Sequence, residues 1–128
     1  MRKIFNIILV FSMFLFSNAG FGWSFVTEHS GHTLYIDLDS IKTNGNDVFF
    51  WILFDDAKPS ETGKMSSIHY VEARCEQKQW RWLQDQFYKK PMAQGKPSSS
   101  INKPTEWSYA APNSFLDTAV TLACMLKK

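Results

Sequence analysis

The chain is poor in the residues that build most catalytic and metal sites. It has two cysteines and three histidines in 128 residues. Cys75 and Cys124 are far apart, so the C-x-x-C pair typical of redox proteins is absent. The sequence contains no G-x-S-x-G elbow, glycine-rich phosphate loop or zincin motif. We therefore expect a non-enzymatic protein with no metal and no cofactor.

Long hydrophobic runs are also scarce, and the one that occurs lies at the start of the chain. Residues 4–16 are almost entirely apolar, follow Arg2 and Lys3, and precede the small residues around Ala19. A membrane-spanning helix needs about 20 apolar residues, so the run is too short for one. The pattern predicts a secretory signal peptide over residues 1–22, cleaved after Ala19 or Gly22. The alternative is a retained N-terminal anchor.

An exported single domain over residues 23–128 follows from this leader. No cysteine comes directly after the apolar run, so we expect no lipid anchor. Because the run is short, we also expect no stable membrane anchor. The expected location is the periplasm or the medium. Arg2 and Lys3 account for the excess of fourteen basic over twelve acidic residues, so the mature chain is formally neutral. This balance provides no basic stripe for nucleic acid.

Apolar patterns predict an antiparallel sheet of about six strands in an α+β fold. Residues 33–37 alternate between polar and apolar, as in a half-buried strand, and Asn44 with Gly45 is a strong hairpin signal. Residues 48–54 are apolar without alternation, which indicates a central strand covered on both faces. The predicted strands are 23–28, 33–37, 48–54, 65–75, 79–88 and 107–110.

Two features of these strands bear on the faces of the sheet. In the fourth strand one face would hold Ser67, His69, Val71, Ala73 and Cys75. For residues 79–88 the pattern leaves the inward face undecided.

The connection 89–106 is long for a compact domain, and its length indicates a mobile or functional segment.

The C-terminal residues carry the helical pattern of the chain. Ser114 is placed to cap the helix and Asp117 stands at the third helical position, a short form of the capping box. Two cysteines in an exported domain predict a disulfide between Cys75 and Cys124, which would tie the helix to one face of the sheet. The alternative is two buried thiols. The buried helical face is predicted to hold Leu116, Ala119, Val120, Ala123 and Cys124.

The three histidines give weak chemical signals. His29 and His32 share a turn, where a polar turn is a better interpretation than a metal site because no further ligand completes the set. His69, on the face assigned to the helix, is more typical of a hydrogen-bonded core histidine than of a catalyst. These histidines leave one enzymatic hypothesis open, in which His29 or His69 acts together with a nearby aspartate.

Aromatic residues are the richest signal, at 16% of the chain. A single helix covers one face of a sheet, so aromatic side chains on the other face could form a surface for a partner. The alternative is self-packing beneath the connection 89–106. The candidate binding surface consists of Tyr35, Trp51, Tyr70, Trp80, Trp82 and Tyr88.

Short landmarks are spread across the mature domain: Tyr35-Ile36-Asp37, Ser40-Ile41, Gly45, Trp51, Cys75, Trp80-Arg81, Trp107, Pro112, Ser114 and Cys124. With these landmarks the chain resembles the surface-adhesin protein E family of exported bacterial proteins. The resemblance implies an antiparallel sheet with one C-terminal helix tied to it by a disulfide, a tendency to dimerise and a non-enzymatic role in attachment to host extracellular-matrix proteins.

Two functional hypotheses follow. The first is an exported, adhesin-like module that binds another protein, such as a host matrix protein, or a second copy of itself. The alternative is a periplasmic envelope protein that binds a small ligand or an envelope component through an aromatic sheet face.

Overall fold

A computed structural model describes residues 22–127 of the chain, so residues 1–21 of the predicted leader lie outside the described residues. Short 3-10 turns occur at Leu38–Ser40 and Pro91–Ala93. The strands are β1 (Trp23–His29), β2 (His32–Asp37), β3 (Lys42–Asn44), β4 (Asp47–Asp56), β5 (Ser66–Arg74), β6 (Gln79–Tyr88), β7 (Ser99–Ile101) and β8 (Ser108–Tyr109), and the helix α1 is Phe115–Met125.

The strands form one antiparallel sheet, which confirms the predicted fold class. Six strands follow the order β1-β2-β4-β5-β6-β7, while β3 pairs with β4 and β8 pairs with β6. The hairpin predicted at Asn44 and Gly45 joins β3 to β4, and Gly45 has a φ of +62°, which glycine adopts without steric cost. The strand β7 lies inside the long connection, where the sequence predicted none.

The central strand β4 is buried on both faces, as its unbroken apolar run predicted. Val48, Phe50 and Ile52 point to the helix side, and all three are 0% exposed. Leu53 points to the opposite side, called here the second face, and it is also 0% exposed. Each face therefore has its own buried hydrophobic cluster.

The helix closes the first of these clusters. The Ser114 hydroxyl accepts a hydrogen bond from the Asp117 amide at 3.1 Å, and the Asp117 carboxylate accepts one from the Asn113 amide at 3.0 Å. Ser114 therefore caps the helix as predicted, but the Asp117 carboxylate bonds to the amide of the residue before the cap, so the capping box is a variant of the predicted one. The buried helical residues Ala119, Val120 and Ala123 pack against the sheet.

A disulfide joins Cys75, just after β5, to Cys124 near the end of α1, as predicted. The two Cα atoms are 5.9 Å apart, and 49 positions separate the residues in sequence. A cross-link that closes a loop of this length removes about 4 kcal/mol of chain entropy from the unfolded state.

The second cluster is covered by the connection 89–106 rather than by a helix. Leu53, Ile68 and Tyr88 are buried there, with Met92 and Ala93 packed against them. The Met92 amide donates to the Asp55 carboxylate at 2.8 Å, and the Ala93 amide donates to the Ser66 hydroxyl at 2.9 Å. The turn Pro91–Ala93 thus seals one end of the second face.

The rest of the connection follows the edge of β6. The Ser98 amide donates to the Phe87 carbonyl at 2.7 Å, and the Thr105 amide donates to the Trp82 carbonyl at 3.0 Å. Between these points β7 pairs with β6. The connection is therefore tied to the sheet along its length, which explains how so long a segment fits a compact domain.

Candidate binding surface on the second face

The end of the second face away from the turn Pro91–Ala93 carries a row of aromatic side chains. Trp51 and Tyr70 occupy directly paired positions on β4 and β5. Their ring centroids are 4.9 Å apart with an interplanar angle of 32°. Phe49 extends the row, with its ring 6.2 Å from that of Tyr70 and inclined by 30°. The three rings are half-buried and form a broad aromatic patch.

Charged residues border this patch. Arg81 on β6 bonds to Glu72 on β5, with Nε and Nη2 each 2.8 Å from Oε1 of the carboxylate. The guanidinium carbons of Arg74 and Arg81 lie 3.8 Å and 4.6 Å from the centre of the Trp107 ring. Cation–π contacts of this kind stabilise by about 0.5–1 kcal/mol each at exposed sites. They attach the chain before β8 to the second face.

The surroundings raise the pKa of two groups in this region. Burial is the largest influence that raises the pKa of Glu72, and a side-chain hydrogen bond with Asp47 adds to it, while Arg81 acts in the opposite direction. Burial also raises the pKa of Tyr70. Its hydroxyl therefore stays protonated at neutral pH and can donate a hydrogen bond.

We call the residues Phe49, Trp51, Tyr70, Glu72 and Arg81, with Trp107, the open strip. Trp51 and Tyr70 were among the candidate residues from the sequence, and Tyr35 lies beside the strip in the second cluster. The remaining members were missed. Arg81 and Trp107 were visible only as landmarks, because their contact depends on the path of the connection across the sheet.

The other three aromatic candidates lie elsewhere. Trp80 and Trp82 pack against the cluster under the helix, with ring centroids 4.6 Å apart. Tyr88 is on the second face but is only 6% exposed, beneath the turn Pro91–Ala93. Burial raises the pKa of the Tyr88 hydroxyl, which donates to Gln86 at 2.8 Å. The six candidates therefore do not form one surface.

A bulge in β6 places the aromatic candidates of this strand on different faces of the sheet. Tyr70 pairs with Gln84, whereas the next residue, Val71, pairs with Trp82, so Leu83 is an extra residue in the ladder. An extra residue reverses which face the following side chains point to. For this reason Trp82 points to the helix side, although Tyr88 points to the second face.

His69 lies on the helix side, as expected, within a closed polar network. Its Nδ1 is 2.6 Å from the Asp85 carboxylate, and its Nε2 is 2.9 Å from the Ser67 hydroxyl. Burial lowers the pKa of His69, although the hydrogen bond and the charge of Asp85 act in the opposite direction. In the neutral ring, Nδ1–H donates to Asp85 and Nε2 accepts from Ser67.

This Ser-His-Asp arrangement has the hydrogen-bond order of a catalytic triad, but its surroundings differ from an active site. Trp82 and Phe54 pack around the imidazole with ring centroids at 4.4 Å and 5.5 Å. Ser67, His69 and Asp85 are 3%, 7% and 6% exposed. A substrate has little access to a serine so deeply buried, and the network satisfies polar groups inside the sheet.

The other histidines are placed near the turn between β1 and β2. His32 Nδ1 is 2.7 Å from the buried Asp56 carboxylate, which also accepts from Lys64 Nζ at 2.8 Å. The His29 ring contacts Phe115 at 5.2 Å. Among residues 22–127 no group of three or more histidine, cysteine, aspartate or glutamate side chains is arranged to hold a metal ion.

The fold and its disulfide define a class: a single antiparallel sheet with one C-terminal helix tied across one face. The model of the surface-adhesin protein E family matches residues 23–125. The chain belongs to this family. Within the described part of the chain, no helix has the length and apolar character needed to cross a membrane.

Solved structures of protein E from Haemophilus influenzae share the fold. One crystal form matches with a TM-score of 0.62 and 19% sequence identity, covering 78% of this chain and 91% of that one. A structure of protein E from a non-typeable strain matches with a TM-score of 0.57 and 18% identity, covering 85% of this chain and 79% of that one. No functionally curated protein matches the chain in sequence.

Proposed function

We propose that the chain is an exported, non-enzymatic adhesin-like module that binds another protein through the open strip. Its membership of a family of surface adhesins supports an exported, adhesin-like protein with no enzymatic role. We place the leader at residues 1–22, with cleavage after Ala19 or Gly22, and the binding domain at residues 23–128. The protein partner is a host extracellular-matrix protein.

This proposal rests on one observation: the second face is covered at one end and partly exposed at the other. The turn Pro91–Ala93 seals one end of that face, whereas the aromatic row of Trp51 and Tyr70 lies outside the turn and keeps part of its surface in solvent. Tyrosine, tryptophan and arginine are the residues that most often dominate protein interfaces. The open strip supplies all three types on one rigid sheet.

Surface plasmon resonance with the mature domain and a panel of purified extracellular-matrix proteins tests the proposal. Tyr70→Ala removes an aromatic ring from the centre of the strip and should weaken binding about tenfold or more, as expected for a hot-spot residue. Tyr109→Ala is the matched control, because Tyr109 is 76% exposed on β8 and outside the strip. We expect it to change the affinity less than about twofold.

Equal effects of the two variants would show that the partner binds elsewhere, and absence of binding to every matrix protein would contradict the proposed partner class. A second copy of the chain is the competing occupant of the strip. Sedimentation velocity over a range of concentrations measures this self-association. A dimer that Tyr70→Ala dissociates would assign the strip to a second copy of the chain.

Cell fractionation and mass spectrometry of the mature N-terminus test the export part of the proposal. The expected result is a protein that begins after Ala19 or Gly22 and is found in the periplasm or the medium. A full-length protein in the cytoplasm would contradict it.

A further inference from the structure

A cavity of about 520 Å³ lies at the end of β6 away from the disulfide, and its aromatic lining residue, Phe87, points to the helix side of the sheet. Its volume is within the range of pockets that bind small molecules. Two lysines are part of its lining, and none of its lining residues is acidic. The cavity, called here the lysine pocket, is lined by Thr62, Lys64, Phe87, Lys89, Ser98 and Ser99.

One of the two lysines is held in place. Lys64 Nζ donates to the Asp56 carboxylate at 2.8 Å, and the Lys64 backbone amide donates to the Ser60 hydroxyl at 3.1 Å. Asp56 is 6% exposed and also contacts His32, so its charge is shared between two partners. An ammonium has three hydrogens, and this ion pair uses one of them. The other two can serve a ligand.

The second lysine has no charge partner. Within residues 22–127, the carboxylates that form ion pairs bond to His32, Lys64, His69 and Arg81, and none bonds to Lys89. Lys89 is exposed at the end of β6. The lining therefore carries more positive than negative charge, which favours an anion.

Hydroxyl groups and one ring complete the lining. The Ser98 amide and hydroxyl both donate to the Phe87 carbonyl, at 2.7 Å and 3.1 Å, so Ser98 shapes the wall rather than donating to a ligand. Ser99 supplies a hydroxyl that can donate. The Thr62 hydroxyl is 3.0 Å from that of Ser60, and when Ser60 donates in this bond the Thr62 hydroxyl can donate to a ligand. The half-buried Phe87 ring provides an apolar surface beside them. Charged donors next to an aromatic ring suit a ligand with an anionic end and a ring-shaped body.

We propose that the lysine pocket binds a small sugar that carries a phosphate or sulfate ester. The ester group contacts Lys64 and Lys89, the hydroxyls of Thr62 and Ser99 donate to its oxygens, and the sugar ring lies against Phe87. The site is independent of the open strip, because Phe87 pairs with Ser67 on the helix side of the sheet.

Isothermal titration calorimetry at low ionic strength tests the site with four probes: glucose 6-phosphate, glucose 6-sulfate, glucose and inorganic phosphate. We expect one or both esters to bind more tightly than glucose and more tightly than inorganic phosphate, and the stronger ester identifies the preferred group. Equal binding of glucose and of both esters would overturn the role of the charge. Equal binding of inorganic phosphate and both esters would overturn the role of the sugar.

Lys89→Glu should lower the affinity for the better ester at least about tenfold, because it replaces an attractive charge by a repulsive one. Lys90→Glu is the matched control: it makes the same charge change at the next residue, which does not line the pocket. We expect that variant to stay within about twofold of the parent protein. Equal losses in the two variants would show only general electrostatic attraction and would overturn the site.

Nuclear magnetic resonance locates the bound ester without relying on a variant. The expected shifts on adding glucose 6-phosphate or glucose 6-sulfate are at the amides of Thr62, Lys64, Ser98 and Ser99. Shifts confined to the open strip or to α1, or no shifts at all, would overturn the assignment.

Discussion

The two faces of the sheet are closed by different means. On the helix side, α1 covers an aliphatic cluster and a disulfide holds it there. On the second face, the turn Pro91–Ala93 covers only one end, and the other end presents half-buried rings beside paired charges. We therefore expect the helix side to contribute more to stability, and we propose that the open strip contacts a partner.

The largest expected loss of stability comes from removing the disulfide on the helix side. In the double variant Cys75→Ala/Cys124→Ala, the unfolded chain regains about 4 kcal/mol of loop entropy, and the free energy of unfolding falls accordingly. Urea denaturation of the oxidised parent and the variant measures this difference. A loss below about 1 kcal/mol would show that packing alone holds the helix.

Two neighbouring phenylalanines compare the faces directly. Phe50 is 0% exposed on the helix side, and Phe50→Ala should cost about 3 kcal/mol or more by leaving a cavity. Phe49 is half-buried in the open strip, so Phe49→Ala removes less buried surface and should cost about 1 kcal/mol. Thermal and urea denaturation of the two variants provide the measurement. Equal costs would break the distinction between the faces.

The buried histidine gives the helix side a dependence on pH. Because burial lowers the pKa of His69 in the folded state, the unfolded chain binds a proton that the folded chain does not. The stability that His69 contributes is therefore present above the unfolded pKa of about 6.5 and is lost as the pH falls towards the lower folded value. Asp85, which holds His69 Nδ1, and the charge of Lys64 are the neighbouring groups that tune this effect.

Urea denaturation between about pH 7 and pH 5 measures this dependence, and His69→Gln should flatten the profile. The control is His29→Gln, because His29 contacts Phe115 rather than a carboxylate. It should keep the slope of the parent protein. A profile that His69→Gln leaves unchanged would contradict the assigned role of the buried imidazole.

A loss of stability as small as that of Phe49→Ala is expected at the charged end of the open strip. Trp107→Ala removes two cation–π contacts, with Arg74 and Arg81, and should cost roughly 1 kcal/mol. Hydrogen exchange at the Thr105 amide, which bonds to the Trp82 carbonyl, should become faster. Tyr109→Ala serves as the comparison, and equal exchange in both variants would show that the contacts of Trp107 with the two arginines have no part in holding this segment.

Local patterns were enough to predict much of the helix side. The capping residues and apolar spacing of α1, the hairpin at Gly45 and the double burial of β4 are encoded by residues close together in sequence. The disulfide followed from cysteine number and compartment. These features depend on contacts within one element or on covalent chemistry.

The second face depended on information that local patterns do not carry. The bulge at Leu83 reverses the orientation of β6, so Trp80, Trp82 and Tyr88 share a pattern in sequence but not a face in the structure. Met92 and Ala93 adopt φ values of +56° and +53°, which no glycine signals in advance. The contact of Trp107 with two arginines and the pairing of His69 with Asp85 depend on register between distant segments.

Hydrogen–deuterium exchange of the mature domain, with and without a bound matrix protein, tests most directly whether recognition belongs to the second face. Slower exchange on binding is expected in the segments of β4, β5 and β6 that carry Trp51, Tyr70 and Arg81, with α1 unchanged. Protection confined to α1 or to β1, with the open strip unchanged, would contradict recognition by the second face.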